Sequence, residues 1–86
     1  VIHFPMPRPG ERRRIWEQSF PARVRLDEDV DLQVVARKYE LSGAGIINVV
    51  QSCCLEALDR GDAVIGWEDI LRGVRKEFMK EGRILQ

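Results

Sequence analysis

The stretch Gly43–Arg60, GAGIINVVQSCCLEALDR, constrains this chain more than any other. Ile46, Ile47, Val49, Val50, Cys53, Cys54, Leu55, Ala57 and Leu58 spread apolar side chains around most of a helix's circumference. Such a helix is stable only when neighbours cover several of its sides. Ser42 stands in front of it as a hydroxyl cap and Gly61 behind it as a stop. The segment therefore reads as the hub of a small helical bundle, and the rest of the chain must supply its cover.

It does so in short amphipathic pieces. A first helix is expected from about Glu11 to Ser19, with Ile15 and Trp16 as apolar bulk and Phe20-Pro21 as its end. Pro5, Pro7 and Pro9 hold the preceding backbone extended. Val1–Phe4 read as the end of a strand whose sheet lies elsewhere. Residues 21–30 form a connector with acidic Asp27, Glu28 and Asp29. A second helix, from Asp31 or Leu32 to Glu40, carries Leu32, Val35, Ala36 and Tyr39 on one face, with Asp31 as cap. Val64-Ile65-Gly66 is a short turn or extended link. A last helix, Trp67 to Glu81, aligns Ile70, Val74 and Phe78 with Leu71 beside them, and Gly82 stops it. Glu68 and Asp69 lie in its first turn, and Lys76 and Lys80 towards its end, as the helix dipole favours. The expected fold is all-α: a small four-helix bundle over residues 11–86, preceded by an extended linker over residues 1–10.

Eighty-six residues hold one domain with a thin core. That excludes a doubly wound nucleotide-binding domain, a barrel or a two-lobed enzyme. Val1 rather than Met opens the chain, which predicts a trimmed or excised segment. No apolar run approaches the length of a membrane span, and the opening lacks the pattern of a signal peptide. Adjacent Cys53 and Cys54 diverge by about 100° on a helix, which suits neither a disulfide nor a chelating pair. They read as core thiols in a reducing, cytoplasmic setting. The formal charge of zero hides an asymmetry. Within residues 1–25, six arginines against two glutamates leave +4; the remainder, eight basic against twelve acidic residues, leaves −4. Such polarity guides docking to another domain or subunit. The arginines of the first helix sit at its positive end, an awkward position that lends weight to a functional or interfacial role beside the plainer reading of a solvated charge run.

Catalytic chemistry is sparse. One histidine, His3, and two adjacent cysteines make no zinc site and no nucleophile–base pair. Carboxylate pairs such as Glu68/Asp69 and Asp27/Asp29 stand where solvated caps and first turns place them. There is no GxxxxGK(S/T) phosphate loop and no Walker-B carboxylate. Gly43-Ala44-Gly45, at the start of the most apolar helix, allows close backbone approach by another group, or serves helix capping or a tight helix crossing. The second and third helices loosely imitate a helix-turn-helix, but the would-be recognition helix has no Lys or Arg before Arg60.

The order of the elements resembles the small C-terminal helical lid domain of AAA+ ATPases. The matching stretches are HFPMPRPGERRRIW, DEDVDLQVVARKYELSGAGIINVVQSCCLEAL and VIGWEDILRGVRKEFMKEGR, nearly the whole chain. The family's pattern runs from a core-strand end through a Pro-bearing linker to an Arg/Ile helix. An acidic "DVDL" helix, a "(T/S)G(A/G)" turn opening a long helix, and a closing "ED(I/L)" helix follow. The resemblance implies that ATP or ADP, with Mg, binds between this lid and a separate α/β core. Ile15 matches the residue that packs on adenine, and Ser19 a polar position near base or ribose. Gly43 and Ala44 match the small pair whose backbone approaches adenine and ribose, and Asn48 lies a turn further on, able to face the cleft. The sensor arginine of many members is absent, as in the AAA subgroup where Gly-Ala replaces it, though Gly45 stands where that subgroup often has Asp.

The implied partners are the chain's own AAA+ core domain, neighbouring subunits of a ring oligomer and a macromolecular substrate. The 86 residues alone are expected to be inactive, with ATP hydrolysis belonging to the parent protein. The alternatives are a free-standing helical interaction module and a DNA-binding helical domain.

Overall fold

The computed structural model describes residues 7–80 and Gly82. Four helices and a two-residue parallel bridge follow in the order α1 (Pro9–Ser19), β1 (Arg25–Leu26), α2 (Leu32–Lys38), α3 (Gly43–Arg60), β2 (Val64–Ile65) and α4 (Trp67–Lys80). The result is a small all-α bundle. The expected strand end at Val1–Phe4, His3 and the first six residues of the linker lie outside the described residues.

α3 has the bounds its caps dictate. The Ser42 hydroxyl accepts from the Gly45 amide at 3.0 Å, and Gly61 closes the helix at φ 74°, its amide returning to the last turn. A residue with a Cβ is strained at that dihedral, so glycine is the natural stop. α1 packs on both α2 and α3, and α4 packs on α3. Trp16, Val35, Leu41, Ile46, Val49, Ile65, Ile70 and Val74 form the centre of one continuous core.

Two expectations need correction here. Pro9 does not hold an extended backbone but opens α1, at a position whose N–H has no partner within the helix. The linker therefore ends at Arg8 rather than Gly10. Glu11 reaches back to accept from the Arg8 amide at 3.0 Å, which fixes the start. α2 is also shorter than expected, ending at Lys38, because Tyr39 turns extended and sinks into the core.

Val64-Ile65 is more than a link. It pairs in parallel with Arg25-Leu26, the Arg25 amide donating to Ala63 at 2.8 Å and the Asp27 amide to Ile65 at 2.9 Å. Parallel partners need a long crossover, and here α2 and α3 together provide it. The bridge ties the acidic connector to the start of α4.

The arginine-rich first helix resolves into separate roles. Arg12 is buried, 4% exposed. Its Nε donates to the Ala36 carbonyl at 2.6 Å and an Nη to the Pro7 carbonyl at 2.7 Å. Ala36 lies in the last turn of α2, where carbonyls lack a helical partner and the dipole favours a cation. Arg13 pairs along α1 with Glu17 at 2.7 Å, and Arg14 is exposed.

Candidate functional site

The residues expected to meet a nucleotide lie on α1 and on the first two turns of α3. Packing of these helices brings Ile15 and Gly43 together: a Cβ built on Gly43 would stand 3.7 Å from the Ile15 Cδ1. Both residues are half-buried, and Ala44 beside them is exposed. The local surface is an apolar methyl set against a helix start that carries almost no side chain. The Ser42 hydroxyl takes the Gly45 amide, and the amides of Gly43 and Ala44, like the first of any helix, have no partner within it.

The two glycines of the GAG segment differ in purpose. Gly43 has room for a side chain. Gly45 is buried, and a Cβ there would sit 3.3 Å from the Ser42 Oγ and 3.5 Å from the Glu77 Cγ. An aspartate at 45, as in many members of the resembled subgroup, would put a second carboxylate beside Glu77. Glycine lets α4 approach instead.

Ser19 and Asn48 lie apart from the Ile15–Gly43 contact. Ser19, one turn beyond Ile15 on α1, is half-buried and lines a groove of about 360 Å³ with Pro21, Arg23, Val50, Cys54 and Leu58. Asn48 is exposed, and its amide donates to a Glu77 carboxylate oxygen on α4 at 3.2 Å. Glu77 in turn meets Lys80 at 3.4 Å.

α3 is not covered all round. Ile47, Leu55 and Leu58 are 44%, 69% and 51% exposed. Their spacing puts them along one side of the helix, beside the groove that Ser19 lines. A DNA-reading helix would present polar and basic groups there; this face is apolar.

The thiols are inert. Cys53 and Cys54 are free and buried. Burial, reinforced by Asp69 and Glu56, pushes the Cys53 thiol up to about 12 from an ordinary 9.0. Its sulfur lies 3.4 Å from the Asp69 carbonyl. Burial also raises Cys54. Neither presents a thiolate near neutral pH.

Asp69 is the busiest carboxylate. It accepts from the Gly66 amide at 2.9 Å and from Arg60 at 3.1 Å, with Arg72 at 3.5 Å. Burial alone would raise its titration, but the amide and the guanidinium outweigh that and lower it. The cluster locks the β2–α4 turn. It is a structural knot rather than an acid–base pair.

Among the described residues no group of three His, Cys, Asp or Glu side chains is placed to hold a metal. No described helix is long and apolar enough to cross a membrane. Compared with known proteins, the chain matches no family model and no curated protein. Sequence reasoning missed Arg12 as an internal strut. The signal available was a lone basic residue one turn from Trp16 on the inward side of α1.

Proposed function

We propose that the chain is the lid half of a nucleotide site in an AAA+ type ATPase. It closes over ATP or ADP held by a separate α/β core and relays the nucleotide state to a neighbouring subunit. The observation that carries this reading is the meeting of Ile15 with Gly43 and exposed Ala44 at the start of α3. A purine needs a flat apolar surface and close access to backbone polar groups, and this wall offers both. Ile15 would lie against the base, and Gly43 and Ala44 would admit the base edge and ribose. The residues suit a base but not phosphates: the chain has no phosphate loop and no metal carboxylates, so Mg and the reacting phosphoryl group belong to the core.

Two further features support the reading. Arg12 ties α1 to α2, and α1 also packs on α3, which suits a lid that moves as one body. The exposed stripe Ile47, Leu55 and Leu58, which begins one helical turn beyond Gly43, offers a neighbouring subunit an apolar contact. The same stripe favours, as a second reading, a free-standing helical interaction module. A cytoplasmic setting accords with two free thiols.

The coding sequence upstream of Val1 separates the two. The lid reading expects a phosphate loop and an acidic Walker-B strand within about 200 residues. A start codon directly before Val1, with no such region in a partner protein, would overturn it.

A further inference from the structure

A second surface owes nothing to the nucleotide reading. Between the start of α2 and the start of α4 lies a groove of about 280 Å³ lined by Asp29, Asp31, Val34 and Trp67. Its apolar part is Val34, 44% exposed, and the half-buried Trp67 indole, which packs against the core cluster. Its charged part is two carboxylates, each anchored through one oxygen. Asp29 Oδ1 accepts from the Trp67 amide at 3.3 Å, and Asp31 Oδ1 accepts from the Gln33 amide at 3.0 Å.

Among the described residues neither carboxylate has a cation. No lysine or arginine among the described residues pairs with Asp29 or Asp31, and their second oxygens accept no hydrogen bond there. The adjoining groove shares Asp29 and Trp67 and adds Asp27, Asp62 and Glu68. Its two guanidiniums are already engaged, Arg60 by Asp69 and Arg72 by Glu56 and Asp69. An accessible indole thus sits in a field of unbalanced negative charge.

We propose that this groove receives an arginine side chain from an extended segment of a partner protein. The guanidinium lies over the Trp67 indole and donates to the free oxygens of Asp29 and Asp31. Charge complementarity fixes the sign of the occupant. The pairing of an aromatic face with two carboxylates favours arginine over lysine, because a planar, weakly hydrated guanidinium stacks and donates in a fork at once. Nucleic acid and other polyanions are repelled.

The test follows the Trp67 amide and indole N–H signals of the ¹⁵N-labelled chain. The probe is a blocked glycine–serine pentapeptide with a central arginine; the control replaces that arginine by neutral citrulline. The arginine peptide should move the Trp67 signals, with affinity falling as salt rises, and citrulline should bind at least ~tenfold more weakly. Asp29→Asn/Asp31→Asn keeps an acceptor for both backbone amides, so it should retain the fold. It should nonetheless lose arginine binding to the same degree. Equal binding of the citrulline peptide, full binding by the double variant or an unmoved Trp67 signal would overturn the proposal. So would Trp67 shifts that grow with protein concentration without peptide, which would assign the groove to a second copy of the chain.

Discussion

Replacing Arg12 by methionine tests the reasoning about the bundle's interior. The side chain is 4% exposed and has no carboxylate partner among the described residues; its charge is held by the Ala36 and Pro7 carbonyls and the α2 C-terminus. Methionine keeps most of the volume, so cavity formation is minor. It also removes the cost of burying a guanidinium, which favours the variant. Against that, the Ala36 carbonyl loses a charge-assisted hydrogen bond and stays enclosed, a loss of about 1.5–3 kcal/mol. The Pro7 carbonyl is only half-buried and recovers water, so its bond adds little. The net expectation is a destabilisation of about 2 kcal/mol, from a total of ~4–13 kcal/mol for a domain of this size. The melting temperature should fall by about 8–16 °C. Urea unfolding followed by far-ultraviolet circular dichroism measures the first, and a thermal melt followed by the same signal measures the second. Arg12→Lys should recover part of the loss, since an ammonium can serve one carbonyl but not both at this geometry. A methionine variant as stable as the parent chain would refute the account of Arg12 as a strut.

Two other perturbations probe neighbouring contacts. Gly73→Ala should destabilise by ~1–3 kcal/mol despite alanine's better helix propensity, because its Cβ would come within 2.8 Å of the Val49 Cγ1, a stiff and buried side chain; chemical denaturation of the variant decides the sign. The protonated Cys53 should make stability fall as pH rises from about 9 towards 12, by up to ~1.4 kcal/mol per pH unit. Above 9 the unfolded thiol ionises while the folded one stays protonated; below 9 this contribution is complete. Comparing the alkaline melting curves of the parent and Cys53→Ala isolates it, and a parallel pH dependence in the two would contradict it.

The hub helix was legible because both its ends carry residues with a mechanical role. Ser42 supplies an acceptor and Gly61 a left-handed dihedral, so sequence and structure agree on its bounds. The amphipathic faces of α2 and α4 were legible from their periodicity. Pro9 misled because the same ring that forbids a helix interior is at home in its first position. The β1–β2 bridge is two residues long, too short to leave an alternating pattern, and its partners are 39 residues apart in sequence. The exposed stripe on α3 was hidden for a different reason: periodicity identifies apolar residues but does not say how many neighbours cover them. Of the expected site, the closeness of Ile15 and Gly43 follows from helix order. The Asn48–Glu77 bond does not, since it depends on how α4 crosses α3 beside Gly45.

Nucleotide affinity of Gly43→Leu, measured together with the α/β core that the proposed function requires, tests the central claim most directly. A side chain at 43 has room, with its Cβ in ordinary contact at 3.7 Å from Ile15, so the fold and melting temperature should hold. The leucine would nevertheless fill the space against Ile15 that the proposed site gives to the base. The account predicts at least ~tenfold weaker binding of ADP, equivalent to about 1.4 kcal/mol. ADP binding unchanged in a variant that melts like the parent would contradict the reading of this wall as a nucleotide lid.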